Sequence, residues 1–176
     1  MQYHLAIDIG ASSGRHVLGW AEDGGIRMEE IYRFPNGAVQ KNGRLCWDMD
    51  AIFRHILAGM KLCAERGKFP ATVGFDTWAV DFVLLDRTGS RLCDAVSYRD
   101  DRTEGMDRLL EETVPFSELY AETGIQKQPF NTVYQLLAVQ RDTPGMLERA
   151  ERLLMLPDYF HYLLTGEKRQ EYTNAT

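Results

Sequence analysis

Residues 3–20, YHLAIDIGASSGRHVLGW, decide the fold, because two short apolar runs flank a turn of small residues. The segment AEDGG at 21–25 has the Asp-Gly chemistry of a tight hairpin turn. IRMEEIYRF at 26–34 then alternates apolar and polar side chains. We therefore predict three consecutive strands joined by short turns, which is an antiparallel meander.

A strand–helix–strand crossover follows the meander. Residues 35–47 contain two Asn-Gly turns and form a predicted excursion. Asp48 or Asp50 can cap a helix whose apolar residues repeat at helical spacing up to a stop at Gly67. The buried strand predicted at 71–78 is then expected to run parallel to a strand already formed.

The second half predicts a separate hairpin and further helix–strand units. The segments are a hairpin over 80–100, helices near 103–113, 115–123 and 131–142, a short strand LLML within 147–157, and a last helix that ends at Gly166. This order predicts an α/β domain of the ribonuclease-H-like class, which also occurs in actin and sugar kinases. We expect a mixed five-stranded sheet flanked by helices, with the hairpin added.

Composition excludes several classes of protein. The chain has 176 residues, a formal net charge of −6, 44% hydrophobic residues and 26% charged residues, as in one soluble globular domain. No apolar stretch approaches the roughly 18 residues of a membrane span, and no signal peptide is expected at the N-terminus. The acidic balance argues against nucleic-acid binding. Three widely spaced cysteines without a CxxC pair suggest a reduced protein of the cytoplasm.

The motif AIDIGASSGR at 6–15 has the parts of a phosphate site. Small residues leave the backbone amides accessible, and the turn adds the hydroxyls of Ser12 and Ser13 and the guanidinium of Arg15. Asp8 lies two residues before the turn and can hold Mg²⁺ through water. The alternative is a plain hairpin with a solvated arginine.

The second motif, GFDTWAVDF at 74–82, places Asp76 and Asp81 on either side of Trp78. An aromatic plane beside polar groups suits a sugar, which offers apolar C–H faces and many hydroxyls. The alternative is that Trp78 belongs to the core and Asp81 to a turn.

Two further segments have open interpretations. YRDDRT at 98–103 is either an ion-pair cluster before a helix, with Thr103 as N-cap, or the polar wall of a cleft. In QPFNTVYQL at 128–136, Asn131 caps the next helix and could also face a cleft.

Together with RFPNG, WDMD, LLMLPDYF, LTG and EYTNAT, these motifs closely resemble the rhamnulokinase branch of the FGGY carbohydrate kinases along essentially all 176 residues. The resemblance implies two ribonuclease-H-like domains around a deep cleft. It also implies transfer of the γ-phosphoryl group of ATP to a sugar hydroxyl, here O1 of L-rhamnulose, in the presence of Mg²⁺.

The resemblance assigns site residues by position. It implies a phosphate-facing loop for ATP made of Ala11, Ser12, Ser13, Gly14 and Arg15, with Asp8 as the metal residue. It implies a sugar site, flanked by the added hairpin and helices, made of Asp76, Thr77, Trp78, Ala79 and Asp81. Ala79 is a departure, because the family usually has glycine there, with its backbone close to the sugar.

Members of this family are more than twice as long as this chain. Residues 1–176 are therefore expected to be the N-terminal domain, with the nucleotide-binding domain and the general-base aspartate downstream of Thr176. Such a piece is expected to be inactive alone. It is also expected to self-associate as a homodimer through apolar side chains of the last helix, namely Tyr159, Phe160, Tyr162, Leu163 and Leu164.

Two other functions remain open from the residues. One is a non-catalytic, actin-like module that binds a sugar or a partner. The other is a ribonuclease-H-like nuclease with Asp8 and Asp76 as two-metal ligands, against which the net charge of −6 counts.

Overall fold

The computed structural model describes residues 1–175 as a layered α/β arrangement. Its strands are β1 (Tyr3–Ile9), β2 (Ser13–Glu22), β3 (Gly25–Pro35), β4 (Ala38–Lys41), β5 (Arg44–Trp47), β6 (Pro70–Thr77), β7 (Phe82–Leu85), β8 (Ala95–Val96) and β9 (Arg152–Met155). Its α-helices are α1 (Met49–Glu65), α2 (Met106–Glu111), α3 (Phe116–Thr123), α4 (Thr132–Asp142), α5 (Met146–Arg149) and α6 (Leu156–Thr165). Short 3₁₀ helices lie at Asp101–Thr103 and Thr173–Ala175.

The main sheet has the strand order β3-β2-β1-β6. The first three strands are antiparallel, and β6 runs parallel to β1 after the α1 crossover. Leu5, Ile7 and Ile9 of β1 are buried in the main core, whereas Ala6 lies on the other, more open face of the sheet. The predicted meander and parallel crossover are confirmed.

Helix α1 covers one face of this sheet because its apolar residues recur every three or four positions. Met49, Ile52, Ile56 and Cys63 are buried against the strands. Asp48 is the N-cap, since its carboxylate accepts a hydrogen bond from the Ala51 backbone amide at 2.8 Å. The sequence prediction of this helix and of one of its two candidate caps is confirmed.

The predicted second hairpin over 80–100 is wrong in its pairing. β7 is buried at every position and pairs with the apolar strand β9, while β8 pairs with β5. Only an isolated bridge between Leu85 and Arg91 joins the two halves of the expected hairpin. Because β7 is buried on both faces, an apolar partner strand suits it best. The segment LLML at 153–156 is apolar, whereas RLCD at 91–94 carries two charged residues.

The same pairing corrects the predicted strand count. The predicted strand LLML forms one residue earlier, as β9 (Arg152–Met155), and it joins β7 in a separate two-stranded ladder. Within residues 1–175 the main sheet therefore has four strands, and the expected five-stranded sheet does not form.

The prediction that the last helix exposes its apolar side chains is wrong for two of its residues. Tyr159 and Phe160 of α6 are buried in the main core. Tyr162, Leu163 and Leu164 are half-buried. The large apolar side chains with the greatest exposure in the sheet are Ile26, 81% exposed, and Met28, 74% exposed, both on β3.

Candidate active site

Three charged side chains lie together where β1 and β6 end and β2 begins. The parallel register places Asp8 beside Asp76, and the antiparallel register places Asp8 beside Arg15 of β2. The Arg15 guanidinium donates from Nε to Oδ2 of Asp8 at 2.9 Å. We call Asp8, Arg15 and Asp76 the carboxylate edge. All three side chains are open enough to solvent for a ligand to reach them.

The turn between β1 and β2 is held from both sides. Within the turn, the Gly10 amide donates to the Ser13 carbonyl at 2.9 Å. Asn36, just after β3, donates its backbone amide to the Ser12 carbonyl at 3.0 Å and its side-chain amide to the Gly10 carbonyl at 2.8 Å. Ser12 is exposed on this turn, and Ala11 and Ser13 are half-buried. The loop is therefore fixed before any ligand binds.

Gly14 has a packing role that its motif did not reveal. It is buried in β2, and a Cβ added there would lie 2.2 Å from Cζ of Phe34. Glycine at this position lets the Phe34 ring pack against the backbone beneath the turn. The side chain of Arg15, the next residue, points to the open face.

The donor set of the carboxylate edge fits a hard divalent cation. Mg²⁺ in kinases is usually held by one or two carboxylates, with water and substrate phosphates completing the shell. Asp8 and Asp76 supply two such carboxylates side by side. No cluster of three or more metal-ligating side chains occurs in residues 1–175.

An aromatic wall begins directly after β6. The Trp78 ring lies 4.1 Å from the Trp47 ring of β5, measured between centroids. Tyr98 lies 6.4 Å from Trp47 and 5.9 Å from Phe130, the latter in an edge-to-face arrangement. We call Trp47, Trp78, Tyr98 and Phe130 the aromatic wall. Trp78 is half-buried, so part of its indole remains available for contact.

Asp81 lies inside this wall. It is fully buried, and its Oδ2 accepts from the indole nitrogens of Trp47 at 2.6 Å and Trp78 at 2.8 Å, and from the Tyr98 amide at 3.1 Å. Burial raises the pKa of the Asp81 carboxyl above its ordinary value, and these hydrogen bonds oppose the rise. The sequence analysis assigned Asp81 to the sugar site. In the structure its carboxylate is buried and bound to the two indole N–H groups instead.

The backbone between Trp78 and Asp81 is strained. Val80 has a φ of +68°, which is unfavourable for a β-branched residue. The Asp81 amide donates to the Ala79 carbonyl at 2.9 Å, which closes a three-residue γ-turn. Ala79 is exposed, and the Thr77 hydroxyl donates to the Trp78 carbonyl at 2.8 Å. Strained turns of this kind are often found at binding sites.

The segment YRDDRT is mainly internal. Asp100 is buried, accepts from the Leu45 amide at 2.7 Å and caps the 3₁₀ helix through the Arg102 amide at 3.0 Å. The predicted capping residue, Thr103, is instead the last residue of that helix. Arg99, beside Tyr98, and Asp101 are exposed, so these two residues keep the polar-wall interpretation open.

Asn131 is at the predicted cap position of α4, but its side chain makes no capping hydrogen bond. Its amide donates to the Gln126 carbonyl at 2.9 Å instead. The sequence hypothesis missed Asn36, Trp47, Tyr98, Phe130 and Gln135. Of these five residues, only Asn36 had a local signal, the Pro-Asn-Gly turn. The other four reach the site through tertiary packing, which no local pattern predicts.

Residues 3–176 match the family described as the FGGY family of carbohydrate kinases, N-terminal domain. The chain belongs to this family.

Among curated proteins, the chain is 54% identical to rhamnulokinase of Halalkalibacterium halodurans, over 100% of this chain and 38% of that protein. It is 45% identical to rhamnulokinase of Bacillus subtilis, over 98% of this chain and 35% of that protein. The chain thus spans a little over a third of the length of these relatives.

The fold agrees with solved sugar kinases. Xylulose kinase from Lactobacillus acidophilus matches with a TM-score of 0.85 and 18% identity, over 99% of this chain and 36% of that one. Gluconate kinase from the same organism matches with a TM-score of 0.84 and 18% identity, over 99% and 35%. The predicted fold class is confirmed. No helix within residues 1–175 has the length and apolar character needed to cross a bilayer.

Proposed function

We propose that this chain is the sugar-binding, N-terminal part of an ATP-dependent kinase that phosphorylates L-rhamnulose at O1 in the breakdown of L-rhamnose. One observation carries the proposal: the aromatic wall begins at Trp78, immediately after the strand that supplies Asp76 to the carboxylate edge. A sugar on the wall and a phosphoryl group at the edge are therefore neighbours. The identities of 42–54% to rhamnulokinases support the choice of sugar.

On the sugar side, Trp78 offers an apolar plane to the C–H face of the ketose. Its neighbours along the chain, Asp76, Thr77 and Ala79, add a carboxylate, a hydroxyl and a backbone segment. Asp81 orients Trp78 and Trp47 from behind. Because the wall is fixed beforehand, little ordering is needed on binding.

On the phosphate side, Ala11, Ser12 and Ser13 present the turn, and Arg15 presents a guanidinium that can turn from Asp8 to a phosphate oxygen. Asp8, with Asp76 beside it, would hold Mg²⁺. When bound, the ion supplies neutralisation of charge on the transferred phosphoryl group. Gly14 supports the turn through Phe34.

The proposal leaves the general base and most of the nucleotide site to residues outside this chain. The chain by itself should therefore bind L-rhamnulose without releasing ADP from ATP. The cytoplasm is the proposed compartment, in keeping with free thiols at Cys46, Cys63 and Cys93.

The test is calorimetric titration of the chain with L-rhamnulose, with glycerol as the control ligand. Trp78→Leu should abolish measurable binding, whereas Trp20→Leu, the same change outside the wall, should leave it unchanged. Equal binding by both variants would contradict the assignment of the wall. ADP release by the polypeptide at its natural length, dependent on L-rhamnulose, tests the activity itself.

We also propose that the chain forms a homodimer. The contact surface would be the open face of the sheet and not the last helix, which the sequence suggested. The open sheet face carries Ile26 and Met28. Light scattering at tens of micromolar should give a dimer mass, and Met28→Lys should return it to a monomer mass. Val39→Lys, an equally charged change on exposed β4, should leave the dimer intact. A monomer mass for the unchanged chain would contradict the proposal.

The register of Asp8 and Asp76 also favours a second candidate, a two-metal nuclease. The formal net charge of −6 counts against it, because a nuclease must bind a polyanionic substrate. Cleavage of an RNA–DNA hybrid in Mg²⁺, lost in Asp76→Asn, would favour the nuclease over the kinase.

A further inference from the structure

Gln135 of α4 joins three parts of the molecule behind the aromatic wall. Its side chain is fully buried. Oε1 accepts from Nη2 of Arg102 at 2.7 Å, and Nε2 donates to Oδ1 of Asp81 at 3.0 Å. The amide therefore lies between a buried cation and the buried carboxylate that orients two indoles.

The same amide also supports the strained turn. Nε2 of Gln135 lies 3.2 Å from the Val80 carbonyl and 3.0 Å from the Phe130 carbonyl. The Thr132 hydroxyl, one turn earlier on α4, donates to the Val80 carbonyl at 2.8 Å. Helix α4 thus holds the unfavourable φ of Val80 in place, and with it the exit of the chain from Trp78.

We propose that Gln135 is a positioning residue of the sugar site, which sets the placement of Trp78 through Asp81 and the Val80 turn and so tunes sugar affinity. The inference rests on the proposed function for its sugar. It adds that the affinity is controlled from α4, by a side chain that touches no ligand.

An amide is the group that suits this position electrically. It accepts from Arg102 with one end and donates to Asp81 with the other, so both buried charges are satisfied. A carboxylate at 135 would face the Asp81 carboxylate about 3.0 Å away and would repel it. A protonated carboxyl would restore the hydrogen bonds to Arg102 and Asp81, whereas its single O–H could not also donate to the Val80 or Phe130 carbonyl.

Gln135→Glu is therefore the decisive variant. Its affinity for L-rhamnulose should approach that of the unchanged chain near pH 5.5 and fall by roughly tenfold or more towards about pH 8.5. The matched control is Gln140→Glu, the same change at an exposed position of the same helix. The ratio of the two dissociation constants removes any titration that both proteins share. A ratio that does not change with pH overturns the proposal.

A second measurement does not depend on the sugar. In a Trp20→Phe background, the remaining indoles are Trp47 and Trp78, and acrylamide quenching reports how well they are held. Gln135→Met should increase quenching, whereas Gln140→Met should leave it unchanged. Circular dichroism confirms that each variant is folded.

The two measurements separate the two hypotheses. If the unchanged chain binds no sugar, the proposed function fails, and quenching alone decides whether Gln135 positions the wall. If the unchanged chain binds L-rhamnulose but Gln135→Met binds it equally well with unchanged quenching, the role of Gln135 is overturned and the proposed function stands.

Discussion

The carboxylate edge and the aromatic wall lie next to each other but are built in opposite ways. At the edge, Asp8 and Arg15 form a single ion pair whose side chains remain 42% and 49% exposed. In the wall, Asp81 is fully buried and accepts hydrogen bonds from Trp47, Trp78, Tyr98 and Gln135. The wall is held by hydrogen bonds among its own residues, whereas the side chains of the edge remain open to solvent.

The difference agrees with the roles that we propose for the two regions. A surface that recognises a neutral sugar gains affinity from being ordered beforehand. Charges that meet a phosphate and a cation stay cheaply solvated until the ligand arrives and excludes water. Changes in the wall should therefore act on folding and sugar affinity together, and changes at the edge on turnover alone.

The largest effect on stability is expected from Asp81→Asn. The asparagine side chain keeps one oxygen and gains an NH₂ group. Either the two indoles and the backbone amide at Oδ2, or the Gln135 amide at Oδ1, would therefore face a donor instead of an acceptor. The free energy of unfolding should fall by about 3 kcal/mol, measured by urea denaturation. Asp101→Asn, in the exposed part of the adjoining segment, is the control and should cost far less. Equal losses would mean that the wall is not held by Asp81.

Asp8→Asn should give the opposite profile. In the polypeptide at its natural length, kcat should fall by roughly 10²-fold or more because the metal and the phosphoryl group lose a carboxylate. The stability should change by less than about 1 kcal/mol, since the ion pair with Arg15 is half-exposed. Asp23→Asn, in the exposed β2–β3 turn, serves as control. A strong rise in sugar KM at constant kcat would show that Asp8 belongs to the sugar site.

His16 lies on the face of β2 opposite Arg15, and it should make the stability of the fold sensitive to acid. His16 is fully buried, and Nε2 approaches the Ile56 carbonyl at 3.2 Å. Burial lowers the pKa of His16, with the Ile56 hydrogen bond opposing. The unfolded chain therefore binds more protons below about pH 6.5, and stability should fall as the pH decreases.

The measurement is the urea midpoint at several pH values between about 7.5 and 5.5. His16→Phe should flatten the dependence, and His4→Phe, at an exposed position of β1, should not. If both variants retain the full slope, the buried imidazole is not the source of the acid sensitivity.

The smallest effect is expected from Ala79→Gly. Ala79 is exposed at the start of the Val80 turn, and removing its methyl group creates no clash. The kcat/KM for L-rhamnulose should rise or stay within about twofold. A decrease of tenfold or more, about 1.4 kcal/mol, would show that this methyl group contacts the sugar.

The sequence predicted the local parts of this molecule and missed the pairings made at a distance. The meander, the α1 crossover and the cap at Asp48 follow from turns and periodicity within a few residues. The pairing of β7 with β9 does not, because 80–100 also reads as a hairpin and only burial on both faces of β7 excludes it.

The candidate site divides in the same way. The motifs named Asp8, Arg15, Asp76 and Trp78, and the structure brings the first three together beside the β1–β2 turn. They misplaced Asp81, whose partners Trp47 and Gln135 lie 34 and 54 residues away along the chain. No local pattern distinguishes a carboxylate that faces a ligand from one that orients the residues around it.

The distances along the chain between these partners also have a kinetic consequence. Trp47 and helix α4 must both reach Asp81 from distant parts of the chain. The chain therefore loses conformational entropy in closing these long loops before the hydrogen bonds to Asp81 can form. Trp47 and Trp78 therefore reach their final environment only when the chain from 47 to 135 has folded. We therefore expect the Trp47 fluorescence during refolding to report the closing of this long loop.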